Sequence, residues 1–212
     1  MYVAIEGVIG VGKTSLARLL QPAFEANLLL EVFEENPFLS NFYQDRGRYA
    51  FQTQMFFLLS RYHQQRRNVP EMLASGKPLL SDYTFEKDAL FARTNLDGDE
   101  LDMYYKLHSA LAEKIPPPDL TVYLRASTDT LMHRITLRDR SFERSMERNY
   151  IDMLNIAYDE CFMQPEDNRP VLIIDSNELD FVKNEEDLKW IENRIRQYLH
   201  LPPFQPELLI PE

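Results

Sequence analysis

Three scarcities in this 212-residue sequence exclude several classes of protein. Cys161 is the only cysteine, so an intramolecular disulfide is impossible and a reducing, cytoplasmic compartment fits best. Basic residues number 23 against 34 acidic ones, which gives a formal net charge of -11 and lacks the basic surface that a nucleic-acid partner requires. No apolar run approaches the roughly 20 residues that span a bilayer, and Glu6 interrupts the first run, so we expect neither a membrane span nor a signal peptide.

The apolar content, 44% of residues, is enough to build the core of one α/β domain, which we place at residues 1–201. Short apolar runs with β character alternate with longer segments of helical periodicity. The predicted strands are 2–5, 28–32, 78–81, 120–124 and 171–174, and the predicted helices are 48–74, 100–114, 128–138, 144–162 and 184–199. This alternation predicts a five-stranded parallel sheet with helices on both faces and a ligand at the carboxyl ends of the strands. A proline-rich tail, 202–212, is expected to lie extended on the surface.

A phosphate-binding motif stands directly after the first predicted strand. Residues 7–14 read Gly-Val-Ile-Gly-Val-Gly-Lys-Thr, a complete GxxxxGK[ST] loop. Glycines let successive backbone N-H groups turn inward at a helix N-terminus, lysine supplies a charge for the β and γ phosphates, and threonine offers a hydroxyl to Mg²⁺. The predicted nucleotide-binding residues are Gly7, Gly10, Val11, Gly12, Lys13, Thr14 and Ser15. A nucleoside triphosphate is therefore the predicted ligand.

Acidic residues lie at or near the ends of several predicted strands, among them Glu6, Glu31 and Asp82. Such a carboxylate is more often a solvated terminus or a helix cap than a functional group. The neighbouring phosphate loop changes that balance for Asp82, which has the form of an acidic strand end that reaches Mg²⁺ through water.

Three arginines cluster in the segment 134–140. Arg134 and Arg138 are four residues apart and share a helix face, while Arg140 follows at or just past the helix end. An ordinary basic face balanced by Asp139 and Glu143 is one interpretation. The other interpretation is a lid: in a protein that binds a triphosphate, mobile arginines can close over the phosphates.

Gln54 and Arg61 are seven residues apart and hence on one face of the long helix 48–74. In one interpretation, Gln54 makes its hydrogen bonds within the helix and Arg61 extends its charged end to solvent. In the other, the two side chains bind a planar ligand, to which the glutamine amide offers both a donor and an acceptor.

Taken together, these separated motifs resemble the deoxyribonucleoside kinase family, and its bacterial members most. The resemblance implies a P-loop kinase fold, phosphorylation of deoxynucleosides by ATP with Mg²⁺, purine deoxynucleosides favoured, and a role in nucleotide salvage. Glu31 precedes Asn36-Pro37 by five residues, the spacing of the family's catalytic glutamate, which takes the proton of the nucleoside 5'-hydroxyl. Glu34 and Glu35 stay open as alternatives for this base.

The resemblance also implies roles for other residues. Tyr43 matches the tyrosine that meets the sugar 3'-hydroxyl, Glu143 matches its partner carboxylate, and Gln54 matches the base-reading glutamine, beside an arginine and aspartate pair at Arg61 and Asp88. The resemblance implies a lid at about 138–147. The implied catalytic residues are Glu31, Lys13, Arg138 and Arg140. Arg134 and Arg138 are expected to bind the nucleotide, and Thr14 and Asp82 the metal. A homodimer formed through helices 48–74 and 100–114 is implied as well.

One position departs from the family's pattern. Many members have an arginine after the acidic strand end, where this chain has Tyr83, which we expect to contact the substrate through its hydroxyl. Because a tyrosine carries no permanent charge, either lid arginines replace that charge or the rate is lower. Two alternatives therefore stay open: a nucleoside monophosphate kinase and a non-catalytic nucleotide-binding subunit.

Overall fold

A five-stranded parallel sheet forms the centre of the molecule. The computed structural model describes residues 1–33, 35–163 and 169–202. Its strands are β1 (Tyr2–Glu6), β2 (Asn27–Leu29), β3 (Leu79–Ser81), β4 (Leu120–Arg125) and β5 (Val171–Asp175), in the order β2-β3-β1-β4-β5, and every neighbouring pair is parallel. The predicted α/β class and all five predicted strands are confirmed.

Helices connect the strands and cover the sheet. In the described part of the chain they are α1 (Lys13–Phe24), α2 (Leu39–Gln44), α3 (Arg46–Ala74), α4 (Lys87–Asn95), α5 (Gly98–Ala112), α6 (Thr128–Arg138), α7 (Arg148–Phe162) and α8 (Glu185–Tyr198), with a 3₁₀ turn at Ser141–Glu143. The sequence did not predict α2 or α4. No helix among the described residues is long and apolar enough to cross a membrane.

Two predicted boundaries were wrong near the sheet's carboxyl edge and the lid. Strand β2 ends at Leu29 rather than at residue 32, because the backbone N-H of Glu31 turns to Asp82 Oδ1, at 2.8 Å, instead of extending the ladder. Helix α7 begins at Arg148 rather than at 144, because the preceding residues form the 3₁₀ turn and a loop. Glu34 and most of the proline-rich tail, 203–212, lie outside the described residues.

Both faces of the sheet are buried. Alternate residues of β1 point in opposite directions, so that Val3 and Ile5 join the larger core while Tyr2 and Ala4 join a smaller one with Val69 of α3. Each fully buried large apolar side chain contributes about 1.5–3 kcal/mol to folding. The sheet is therefore held rigidly on both sides, and its carboxyl edge is a fixed platform for the residues that follow the strands.

Candidate active site

One continuous cavity of about 290 Å³ lies at the carboxyl ends of β1, β2 and β3. It extends from the phosphate loop to α3, α4 and the segment after α6. Thirteen of the residues predicted from the sequence line it: Gly10, Gly12, Lys13, Thr14, Ser15, Glu31, Tyr43, Gln54, Arg61, Asp82, Arg138, Arg140 and Glu143. Residues predicted for the phosphate donor and for the acceptor thus share one space.

The phosphate loop requires glycine at its tightest points. Gly10 and Gly12 have φ values of +91° and +105°, in the region that favours glycine. A Cβ atom at Gly10 would lie 2.7 Å from Ile135 Cγ1, and one at Gly12 would lie 2.9 Å from Phe181 Cζ. Both the backbone conformation and the lack of space therefore exclude larger residues.

Lys13 is partly buried at the start of α1. Its ammonium donates to the carbonyl oxygens of Gly7, at 2.6 Å, and Val8, at 3.3 Å. Burial, together with the nearby charge of Lys87, lowers the pKa of Lys13 to about 8. Backbone oxygens hold the ammonium in the loop until a phosphate provides a full negative charge.

Thr14 and Asp82 are joined where a metal would sit. Thr14 Oγ1 donates to Asp82 Oδ2 at 2.5 Å, and Asp82 Oδ1 accepts from the Glu31 backbone N-H. A hydroxyl and a carboxylate suit Mg²⁺, which keeps phosphate oxygens and water as its other ligands. The described residues contain no group of three or more His, Cys, Asp or Glu side chains that could hold a metal by themselves, so a metal at this pair would need further ligands such as phosphate oxygens and water.

Glu31 belongs to a buried network of four charges. Arg61 Nε donates to Glu31 Oε1 at 2.9 Å, Lys87 Nζ donates to Oε2 at 2.6 Å, and the Arg61 guanidinium also pairs with Asp88. Burial by itself would raise the pKa of Glu31, but attraction to Arg61 and Lys87 outweighs it and holds that pKa well below its ordinary value. Two carboxylates and two cations give the network a formal charge of zero, and Glu31 is ionised at neutral pH.

The inner end of the cavity combines aromatic side chains with the amide of Gln54. Phe57 and Phe91 line it, and the Arg61 guanidinium lies 4.4 Å from the centre of the Phe57 ring. Gln54 Oε1 is buried and has no hydrogen-bond partner among the described residues. A slot with aromatic walls and an unsatisfied amide oxygen among its lining residues suits a planar ligand that carries an N-H group.

The segment after α6 covers the cavity opening and is held by ion pairs and ring contacts. Arg138 binds Glu143 with both ends of its guanidinium, at 2.6 and 3.1 Å. The Phe142 ring stacks on Tyr43, with 6.2 Å between ring centres, and Arg140 lies 4.3 Å above the Phe33 ring. Arg138, Arg140 and Glu143, all predicted from the sequence, are therefore together at the mouth of the cavity.

Comparison with known proteins identifies the family. The family model described as deoxynucleoside kinase matches residues 3–200 of the chain. The chain belongs to the deoxynucleoside kinase family. It is 35% identical to the deoxyguanosine kinase of Bacillus subtilis (strain 168) over 201 residues, which cover 93% of this chain and 97% of that enzyme. It is 32% identical to the deoxyadenosine kinase of Dictyostelium discoideum, over 87% of this chain and 75% of that enzyme.

A solved structure supports the same assignment. The deoxyadenosine kinase from M. mycoides with bound dCTP superimposes with a TM-score of 0.80 at 26% identity, covering 93% of this chain and 100% of that one. Deoxynucleoside kinases phosphorylate deoxynucleosides with ATP as the phosphate donor and serve nucleotide salvage. The predicted family, fold and enzyme class are confirmed.

Several predicted site residues of this deoxynucleoside kinase lie outside the cavity lining. The Arg134 guanidinium donates to the carbonyl oxygens of Val11, Ser176 and Leu179, at 3.2, 2.6 and 3.3 Å. It braces the phosphate loop against the segment after β5 rather than lining the cavity. Gly7 and Val11 belong to the phosphate loop but do not line the cavity. Asp88 does not line it either and contacts Arg61, which does.

Tyr83 also does not line the cavity. Its side chain is fully buried, and its hydroxyl donates to Gln64 Oε1 at 2.5 Å, while Gln64 Nε2 donates to the Leu30 carbonyl oxygen at 2.9 Å. The expected contact between the Tyr83 hydroxyl and the substrate is therefore corrected: the hydroxyl points into the protein and supports the chain just before Glu31.

Sequence reasoning missed three residues of the site in this kinase. Lys87 lies against Glu31, Phe57 lines the inner slot, and Phe142 stacks on Tyr43. Lys87 directly precedes Asp88, which was predicted, but a lysine at the start of a short helix is usually solvated and gave no signal of its own. The aromatic side chains were indistinguishable in sequence from those of the core.

Proposed function

We propose that this kinase transfers the γ-phosphoryl group of ATP to the 5'-hydroxyl of purine deoxynucleosides. One observation carries the proposal: Glu31 lies in a single cavity between the phosphate loop and the slot that contains Gln54. Relatives named deoxyguanosine kinase and deoxyadenosine kinase support a purine preference. Gln54 Oε1 can accept from an N-H group of a purine that lies between the rings of Phe57 and Phe91.

Glu31 is the proposed base. It is ionised and weakly basic, so it first accepts a hydrogen bond from the 5'-hydroxyl and aligns that oxygen with the γ-phosphorus. It then takes the proton as the new P-O bond forms and the hydroxyl becomes more acidic. Much of the acceleration in such reactions comes from positioning and charge neutralisation, for which a strong base is not needed.

The donor side would bind the triphosphate. Thr14 and Asp82 would hold Mg²⁺, which when bound neutralises charge on the β and γ oxygens. Lys13 approaches the same phosphates from the loop. Arg138 and Arg140 form part of the proposed lid, 138–147, and stabilise the charge of the transferred group when the lid closes.

The sugar would lie beneath the lid. Burial first, then the neighbouring Tyr150 and Glu143, raises the pKa of Tyr43 well above its ordinary value, so its hydroxyl stays protonated and can donate. A deoxyribose 3'-hydroxyl between Tyr43 and Glu143 would have a donor on one side and an acceptor on the other.

Two finer predictions accompany this function. The homodimer stays a proposal, supported by Leu59 of α3 and Met103 of α5, whose apolar side chains are exposed on two helices that pack together. Sedimentation equilibrium would test it. The cytoplasmic location also stays a prediction, based on the single cysteine.

Assays with a panel of acceptors test the proposal. Purified protein with Mg-ATP would be supplied with each of the four common deoxynucleosides and, separately, with their monophosphates. We expect monophosphate products with a catalytic efficiency at least about tenfold higher for the purines, since differences in pocket contacts of about 1–3 kcal/mol produce such ratios. Absence of product from all four would contradict the proposal.

The same panel tests both alternatives. A nucleoside monophosphate kinase would phosphorylate the monophosphates, but Arg61, a cation beside the acceptor, is already paired with two carboxylates. A non-catalytic subunit would bind ATP without forming product; that Lys13, Thr14 and Glu31 all line one cavity supports catalysis instead.

A further inference from the structure

We propose that Lys87 is a catalytic residue of this kinase, whose ammonium bridges the Glu31 carboxylate and the phosphoryl group in transfer. The inference rests on the proposed function, because it places the acceptor hydroxyl at Glu31. Tyr83 carries no positive charge where many family members have an arginine. Lys87, four positions further along the chain, would supply that charge instead.

The geometry places Lys87 at the reacting centre. It is the first residue of α4, its side chain is 5% exposed, and it lines the cavity. Its Nζ lies 2.6 Å from Glu31 Oε2, and the rings of Tyr83 and Phe91 lie 6.0 and 5.8 Å away. Within the described parts of the chain, Glu31 is the only hydrogen-bond acceptor for this ammonium, which leaves N-H donors available for phosphate oxygens.

A second, partly buried lysine faces the same space. Lys13 and Lys87 both line the cavity, so two ammonium groups of like charge share it. Two like charges held together out of water are unfavourable. A polyanionic ligand between them would reverse that repulsion, and a triphosphate that enters from the Lys13 side would present its γ-phosphoryl group to Lys87.

Other residues cannot take this place. The hydroxyl of Tyr83 is bound to Gln64 and points away from the cavity. Arg138 belongs to the proposed lid and is held by Glu143, whereas Lys87 projects from a helix that packs on α3, α5 and α7. Arg61 also touches Glu31, but its guanidinium pairs with Asp88 as well, whereas the ammonium of Lys87 pairs with Glu31 alone among the described residues.

The chemical step balances without further reactants. The 5'-oxygen forms a bond to the γ-phosphorus, the bond between that phosphorus and the bridging oxygen of ATP breaks, and its electron pair leaves with ADP. The hydroxyl proton passes to Glu31. Lys87 neither gives nor takes a proton: its N-H groups neutralise the non-bridging oxygens and hold Glu31 in line.

The test replaces Lys87 by methionine, which has similar length and no charge. We expect Lys87→Met to lower kcat at least about 100-fold, as for other single donors to transition-state oxygens, while the Kd for ATP and the KM for the nucleoside change less than about fivefold. Lys87→Arg should recover at least about a tenth of the wild-type kcat, because it restores the charge. The matched control is Lys189→Met on the exposed face of α8, which should behave as wild type.

Several results would overturn the assignment. If Lys87→Met keeps kcat within about threefold of wild type, or changes KM alone, Lys87 does not act on the transition state. If Tyr83→Phe costs as much kcat as Lys87→Met, the role belongs to Tyr83. Should Lys87→Met fail to fold, as judged by its thermal unfolding, Lys87→Gln supplies the same readout.

The assay separates this inference from the proposed function. A wild-type protein that phosphorylates no deoxynucleoside refutes the function itself. An active wild type together with an active Lys87→Met refutes only the role of Lys87.

Discussion

Removal of the negative charge of Asp88 is expected to destabilise the free protein strongly. Asp88 is fully buried and pairs with Arg61, whose side chain is only 7% exposed and also binds Glu31. In Asp88→Asn the shape is kept, but Arg61 and Lys87 then share a single carboxylate and the buried network gains a net positive charge. Breaking a buried ion pair in this way costs about 3 kcal/mol or more, a large part of the roughly 5–15 kcal/mol that holds a domain together.

Urea unfolding without ligand would measure this loss. For a chain of this size, about 3 kcal/mol also corresponds to a fall of roughly 6–12 °C in Tm. The control is Glu160→Gln, which removes a surface partner of Arg93; those side chains are 59% and 49% exposed, so no more than about 1 kcal/mol should be lost.

A double-mutant cycle identifies the cause of the loss. Combining Asp88→Asn with Arg61→Met leaves Glu31 paired with Lys87 and returns the network to neutrality. The double variant should therefore be more stable than the sum of the two single losses predicts, by at least about 1 kcal/mol. A loss below about 1 kcal/mol in Asp88→Asn, or strict additivity in the cycle, would refute the reasoning from buried charge.

Two other predictions follow from the phosphate loop and from a buried histidine. Gly12→Ala should abolish measurable ATP binding by calorimetry, because its Cβ would meet Phe181 at 2.9 Å; Gly76→Ala, also at positive φ but with open space around it, should bind ATP normally. Burial lowers the pKa of His108, so below about pH 6.5 the unfolded chain gains a proton that the folded one does not, and stability falls. In His108→Gln the urea midpoint should fall less between pH 7.5 and 5.5 than in wild type, and an equal fall in both proteins would contradict this.

The donor half of the site is predictable because its residues are local in sequence. The loop from Gly7 to Thr14 needs only neighbouring glycines, a lysine and a hydroxyl at a strand-to-helix junction, and α1 begins at Lys13 as that pattern requires. Alternating apolar runs likewise predict the parallel sheet, since each strand is buried on both faces.

The acceptor half depends on contacts between distant parts of the chain. Lys87 and Glu31 are 56 residues apart and meet because β2 and β3 are neighbours in the sheet. Helix α4 has only nine residues, and its buried Lys87 and Asp88 interrupt the apolar pattern that would reveal it. Arg134 shows the same limit: its spacing from Arg138 predicts a shared face, but the carbonyl oxygens that it binds come from two remote loops.

Turnover by Glu31→Gln decides whether Glu31 is the base of the reaction. We expect kcat with a purine deoxynucleoside to fall at least about 100-fold, the size of effect expected for loss of a positioned base, while the Kd for ATP stays within about fivefold of wild type. Glu35→Gln, the matched change in the neighbouring loop, should keep wild-type turnover. Unchanged turnover in Glu31→Gln, with loss in Glu35→Gln or Glu34→Gln instead, would contradict the account.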